Sequence, residues 1–168
     1  MERSNQYHLN LPYPTVTVTK CDFKYADMIS DAYAGRGSET TAIAQYRAHA
    51  LYLQDRSEIL AAYRGISEAE MTHQDLLGGL VIQLCAFPKL LSGVTKQFWN
   101  GSFPVYECRL LPILLADIQG EHDAIAHYRR LIACIQNESI QALLGRIILD
   151  EQLHVEILQS LVDRYGNT

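Results

Sequence analysis

The sequence predicts an all-α fold: four long helices packed as an antiparallel bundle, formed by two similar helical hairpins and one long crossover between the second and third helices. Three observations predict it. From about Asp22 onward, apolar residues recur with the 3.6-residue helical period. Short polar turns and one Pro/Gly-rich stretch cut that pattern into four segments. A segment also repeats: Glu39-x-x-Ala42-Ile43-Ala44-x-Tyr46-Arg47 returns 82 positions later as Glu121-x-x-Ala124-Ile125-Ala126-x-Tyr128-Arg129. A duplicated hairpin implies a pseudo-two-fold axis through the bundle.

Residues 1–21 are expected to form an extended N-terminal arm, and 22–168 a single bundle domain. The arm carries two prolines and an alternating Val/Thr run, Thr15 to Thr19. The first helix is expected at 22–54, with Tyr25, Met28, Ala32, Gly35, Glu39, Ile43, Tyr46, Ala50 and Leu53 inward. Gly35 and Gly37 each weaken a helix interior by about 1 kcal/mol and mark a bend or a close backbone approach. Ser57 is placed to cap the second helix, 57–86, whose second half is apolar nearly all round and suggests a homodimer contact. Residues 87–106 hold two prolines and two glycines; such a length suits a crossover that travels along the bundle. The third and fourth helices are expected at 107–136 and 138–164, with a tight turn at Asn137.

The composition restricts function. The 168 residues carry a formal net charge of −5, which disfavours nucleic acid as a partner. No apolar run approaches the ~20 residues of a membrane span, so no membrane association is expected. Met1–Asn10 has no apolar leader core. The four cysteines, Cys21, Cys85, Cys108 and Cys134, form no C-x-x-C pair and read as buried, reduced thiols of a cytoplasmic protein.

Function is signalled by misfits. Each apolar stripe is interrupted near its middle by Glu or His, and a buried carboxylate needs a counter-charge. The heights agree. Glu39 and Glu70 each lie about fifteen residues from the first turn, and Glu121 and Glu151 about fifteen from the last, so each pair sits ~22 Å along its hairpin. Glu70-x-x-His73 and Glu151-x-x-His154, offset by 81, are the only E-x-x-H sequences in the chain. The i, i+3 spacing puts both side chains on one helix face. Four carboxylates balance two divalent ions, and two imidazoles complete them. That donor set suits two iron ions, two manganese ions or a mixed pair better than calcium or magnesium. Glu70 or Glu151 could bridge the ions, with Glu39 and Glu121 terminal.

One Glu from each of two helices, with Glu-x-x-His from each of the others, resembles the di-metal carboxylate pattern of the ferritin-like superfamily over about residues 22–164. That superfamily includes bacterioferritins, rubrerythrins and manganese catalases. SETTAIAQY and SEAEMTHQDLLG are similar to segments of small bacterial proteins described as rubrerythrin-like or manganese-catalase-like. The resemblance implies Glu39, Glu70, His73, Glu121, Glu151 and His154 as metal ligands. It implies a di-metal oxidoreductase acting on O2 or hydrogen peroxide, with catalase-type disproportionation, iron oxidation and a metal-stapled scaffold as alternatives. Where rubrerythrins carry a further Glu, this chain has Ala124, and it lacks a rubredoxin-type C-x-x-C. Met71 occupies the place of the bacterioferritin haem ligand, but haem is not expected, nor is a storage cage.

Tyr46 and Tyr128, two turns beyond Glu39 and Glu121, are the candidate catalytic residues: they could hydrogen-bond ligand carboxylates or supply an electron. Asp150 is expected on a solvated face, and His49, His122 and His127 at the surface or an interface.

Overall fold

The computed structural model describes residues 6–166; residues 1–5 of the expected arm, and 167–168, lie outside the described residues. Five helical segments make the bundle: α1 (Phe23–Ala34), α2 (Glu39–Tyr52), α3 (Ser57–Gln83), α4 (Leu110–Cys134) and α5 (Glu138–Tyr165). The expected first helix is thus two. A Cβ at Gly35 would stand 2.5 Å from the Asp31 carbonyl oxygen, so only glycine fits there. The broken ends are capped locally. Ser38 accepts from the Thr41 N–H, while the hydroxyls of Thr40 and Thr41 donate to the carbonyls of Tyr33 and Gly35. Glu39, Tyr46 and Leu53 are inward as expected, Gln45 and His49 of α2 join them, and Ile43 is left half-buried.

Asp22 caps α1 and Asn137 caps α5 through their side chains. Ser57 does not cap; it is the first residue of α3, and Arg56 precedes it without a side-chain cap bond. The helix α3 ends at Gln83, and Cys85 then takes a positive φ of 67°. The crossover to α4 lies along α1 and α2. Gly93 sits so close to the Asp27 backbone that a Cβ would stand 2.3 Å away. Trp99 Nε1 donates to Thr41 Oγ1, and the Val105 N–H donates to Gln45 Oε1.

The arm runs along α5. Tyr13, Val16 and Val18 pack on the core while Thr15, Thr17 and Thr19 face out, as the alternation predicts. Cys21 at its end is disulfide-bonded to Cys85, and Cys108 and Cys134 are exposed free thiols. The expectation of four buried, reduced cysteines is therefore overturned. The 64-residue separation hid a pairing that exists only because the arm's end meets the end of α3.

The apolar core is split in two. One cluster includes Ile29, Leu77, Leu80, Ile125, Tyr128, Leu144 and Ile147; the other includes Tyr46, Ile59, Tyr63, Ile66, Ile113, Leu114 and Leu158. Between them lies a buried polar layer of Glu39, Glu70, His73, Glu121, Glu151 and His154. Full burial of a side chain such as Ile66 or Leu77 contributes roughly 1.5–3 kcal/mol, so the two clusters can hold an otherwise unfavourable layer in place. Among the described residues, no helix is long and apolar enough to cross a membrane.

Candidate metal centre

Helix periodicity explains how the six side chains converge. Glu39 opens α2, Glu121 sits mid-α4, and the two E-x-x-H pairs lie mid-α3 and mid-α5 on the faces those helices turn inward. Glu151, His73 and His154 are wholly buried; the other three are at most 4% exposed.

The six residues form two overlapping quartets. In one, donor atoms of Glu39, Glu70, His73 and Glu151 lie within 4.8 Å of one another; in the other, those of Glu70, Glu121, Glu151 and His154 do. Glu70 and Glu151 belong to both. His73 Nδ1 lies 2.9 Å from Glu70 Oε2 and 3.3 Å from Glu151 Oε1. His154 Nδ1 lies 3.1 Å from Glu70 Oε1 and 3.0 Å from Glu151 Oε2.

The arrangement fits metal ions. Glu70 Oε1, both Glu151 carboxylate oxygens and His154 Nδ1 are buried without an aligned hydrogen-bond partner. Four such atoms in one place would each cost about 1–3 kcal/mol if nothing met them. They face one another as lone-pair donors face a cation.

Without ions, protons do part of the work. Burial, then the nearby Glu70 and Glu151 charges, pushes the Glu121 carboxyl up to about 8 and raises Glu39 well above its usual range. Burial also acts to raise Glu70, but His154 and His73 outweigh it and hold Glu70 well below the usual carboxylate range. Burial alone would lower both histidines, yet Glu151 beside His73 and Glu70 beside His154 raise them. A cation would replace these protons.

The flanking tyrosines obey the pseudo-two-fold. The Tyr46 hydroxyl of α2 donates to Glu121 of α4, and the Tyr128 hydroxyl of α4 donates to Glu39 of α2. Each tyrosine ring belongs to one of the two apolar clusters, so packing fixes the hydroxyl. Behind the imidazoles, His73 Nε2 lies 3.2 Å from Asp150 Oδ2, and His154 Nε2 lies 2.8 Å from the Tyr7 carbonyl oxygen.

Two expectations fail here. Asp150 is not on a solvated face; it is wholly buried, accepts from the Leu9 N–H and the Tyr13 hydroxyl, and forms an ion pair with Arg146. His49 is not at the surface; it is wholly buried, with Nδ1 2.9 Å from Asp117 Oδ2. Asp117 also accepts from Gln45 Nε2 and the Tyr63 hydroxyl. Both histidine and aspartate carried a signal in the spacing. His49 is three residues beyond Tyr46, and Asp117 is four before Glu121, so both fall on inward faces. His122 is exposed as expected, and His127 is half-buried, 3.7 Å from Asp31.

A cavity of about 70 Å³ opens on the carboxylates from between α2 and α4. Glu39, Glu70, Glu121, Glu151, Tyr46 and Asp117 line it, and exposed Gly37 and Gly120 stand at its outer side.

No family model and no curated protein sequence matches the chain. Solved structures do. Wild-type KatB, a manganese catalase from Anabaena, matches at a TM-score of 0.84 and 19% identity, covering 95% of this chain and 80% of its own. Bacterioferritin from Rhodobacter capsulatus matches at 0.74 and 26% identity, covering 89% of each chain. A dodecameric thioferritin from Bacteroides fragilis matches at 0.71 and 19%, covering 88% and 90%. The chain thus has the ferritin-like fold that its sequence predicts, with buried clusters of glutamate and histidine at the centre of the bundle.

Proposed function

We propose that the chain is a di-manganese or di-iron carboxylate oxidoreductase acting on hydrogen peroxide or O2. Glu39, Glu70, His73, Glu121, Glu151 and His154 hold the ions. The observation that carries this reading is the overlap of two buried quartets, in which Glu70 Oε1, both Glu151 oxygens and His154 Nδ1 have no aligned hydrogen-bond partner. Glu70 and Glu151, common to both quartets, would serve both positions, and Glu39 with His73, and Glu121 with His154, would complete one each.

Bound there, a pair of ions supplies two-electron redox chemistry, one electron from each. The chain's own residues do the rest. Tyr46 and Tyr128 hold one oxygen each of Glu121 and Glu39, leaving the other free to bind. Tyr46 also borders the cavity and so meets the substrate, whereas Tyr128 acts through Glu39. Asp150 and the Tyr7 carbonyl engage the outer imidazole nitrogens and keep both Nδ1 atoms turned inward. The cavity takes molecules of a few atoms, a size that supports peroxide or O2 over larger organic substrates. Exposed Ile82 and Phe87 at the end of α3 support the expected homodimer, in which residues 22–168 act as one domain.

Elemental analysis of protein purified without added metal tests the reading: about two manganese or iron ions per chain are expected. Glu121→Ala lowers that content sharply, whereas Glu58→Ala, on the exposed surface, leaves it unchanged. Metal-free protein that cannot be loaded overturns the reading. O2 release from peroxide without reductant marks disproportionation, and rapid Fe(II) oxidation marks iron handling. Bound metal with neither activity marks a structural staple.

A further inference from the structure

The repeated hairpins supply matching ligands, but the atoms behind the two imidazoles do not match. His73 is backed by a carboxylate, Asp150, and His154 by a peptide carbonyl, that of Tyr7. The sequence offset of 81 that superposes the E-x-x-H pairs sets Ala69 opposite Asp150 and Gly65 opposite Arg146. No carboxylate can therefore stand behind His154 as Asp150 stands behind His73. The arm fills that place. The Tyr7 ring lies against Gly65 so closely that a Cβ there would come within 1.9 Å of it.

The Asp150 side is built to last. Its carboxylate accepts from the Leu9 N–H at 2.8 Å and the Tyr13 hydroxyl at 2.7 Å, and pairs with Arg146 at 2.7 Å. Arg146 in turn donates to the Leu9 and Leu11 carbonyls and lies 4.6 Å from the Tyr13 ring centroid. An imidazole whose outer N–H donates to a fixed carboxylate is a more electron-rich ligand than one donating to a neutral carbonyl.

We infer that the two metal positions are unequal: the Glu39–His73 position, backed by Asp150, fills first and retains its ion, while the Glu121–His154 position, backed only by the arm's carbonyl, fills second and exchanges. Asp150 is the positioning residue that sets this order. The inference rests on the di-metal reading above and adds an asymmetry that the duplicated ligand set does not contain.

Crystals of apo-protein given one equivalent of Mn2+ test it, with anomalous scattering refined separately at the two positions. Manganese is expected mainly at Glu39–His73, by roughly tenfold. Asp150→Asn, which keeps the volume but removes the charge, should even out or reverse the partition. A chain starting at His8, which lacks the Tyr7 carbonyl but keeps the Leu9 peptide N–H on Asp150, should shift it further toward Glu39–His73, so the test survives if the first variant fails to fold. Equal occupancy in the unaltered protein, or excess at Glu121–His154, overturns the inference, as does a partition that neither variant moves. No anomalous peak at either position overturns the di-metal reading itself.

Discussion

The α2–α3 and α4–α5 hairpins present the same glutamates and histidines at the same height, yet their surroundings differ. Opposite the buried Asp117–His49–Gln45–Tyr63 cluster, the repeat sets Gly35, Leu131, His127 and Leu144. Opposite Asp150 and Arg146 it sets Ala69 and Gly65, and opposite Cys85 it sets Gly166. The divergent positions are those where the arm, the α1–α2 break or the crossover touches the bundle. The difference teaches that symmetry is kept where side chains converge on one point and lost where each hairpin meets a segment its twin does not have.

The largest expected effects come from ligands the halves share. Glu151→Ala or Glu70→Ala removes a donor from both quartets and should take metal content from about two ions per chain toward none. Glu39→Ala and Glu121→Ala each affect one quartet and should leave about one; plasma mass spectrometry of loaded protein separates these cases. If all four variants lose metal equally, the halves are not separable.

Metal removal should then expose a pH dependence. In the metal-free protein Glu39, Glu121, His73 and His154 all bind protons more tightly than in the unfolded chain. For these groups the folded state carries the extra protons, so stability falls as pH rises through the upper range, including the Glu121 titration near 8. The melting temperature of metal-free protein should drop between pH 6 and pH 9, while the loaded protein, with cations in place of those protons, holds. A flat metal-free profile would contradict the proton-filled site.

Next in size is the disulfide, present on one half only. Closing a 64-residue separation is worth about 4 kcal/mol in the chain-entropy account, so Cys85→Ser should lower denaturant stability by about 2–4 kcal/mol. Asp117→Ala strands three buried donors, His49, Gln45 and Tyr63, and should cost about 3 kcal/mol, or a melting shift of about 10 °C. Gly65→Ala, which collides with the Tyr7 ring, should cost about 1–3 kcal/mol; its counterpart site on α5 already carries Arg146. A neutral Gly65→Ala in thermal melts would mean the arm yields there freely.

Much of this was legible in the sequence. The bundle, the crossover and all six converging residues follow from periodicity and from two E-x-x-H pairs at matched distances from their turns, whereas the break of the first helix at Gly35 does not. Legibility ended where contacts join distant segments. Asp150 is buried by Leu9 and Tyr13 of the arm, 141 and 137 positions away, a contact that its place on α5 does not reveal. His49 lies at the margin of the apolar stripe, three residues beyond Tyr46, and its burial rests on Asp117 of α4, 68 positions away.

What the sequence by itself determined is the set of side chains that a helix of fixed pitch must aim at one height, because 3.6 residues per turn leaves no other outcome. What only the tertiary structure decided is the layer behind them: the Cys21–Cys85 bond, the carboxylate behind His73 and the carbonyl behind His154. Those contacts link residues 64 to 147 positions apart, and no local rule reaches that far, because their geometry exists only once the bundle has closed.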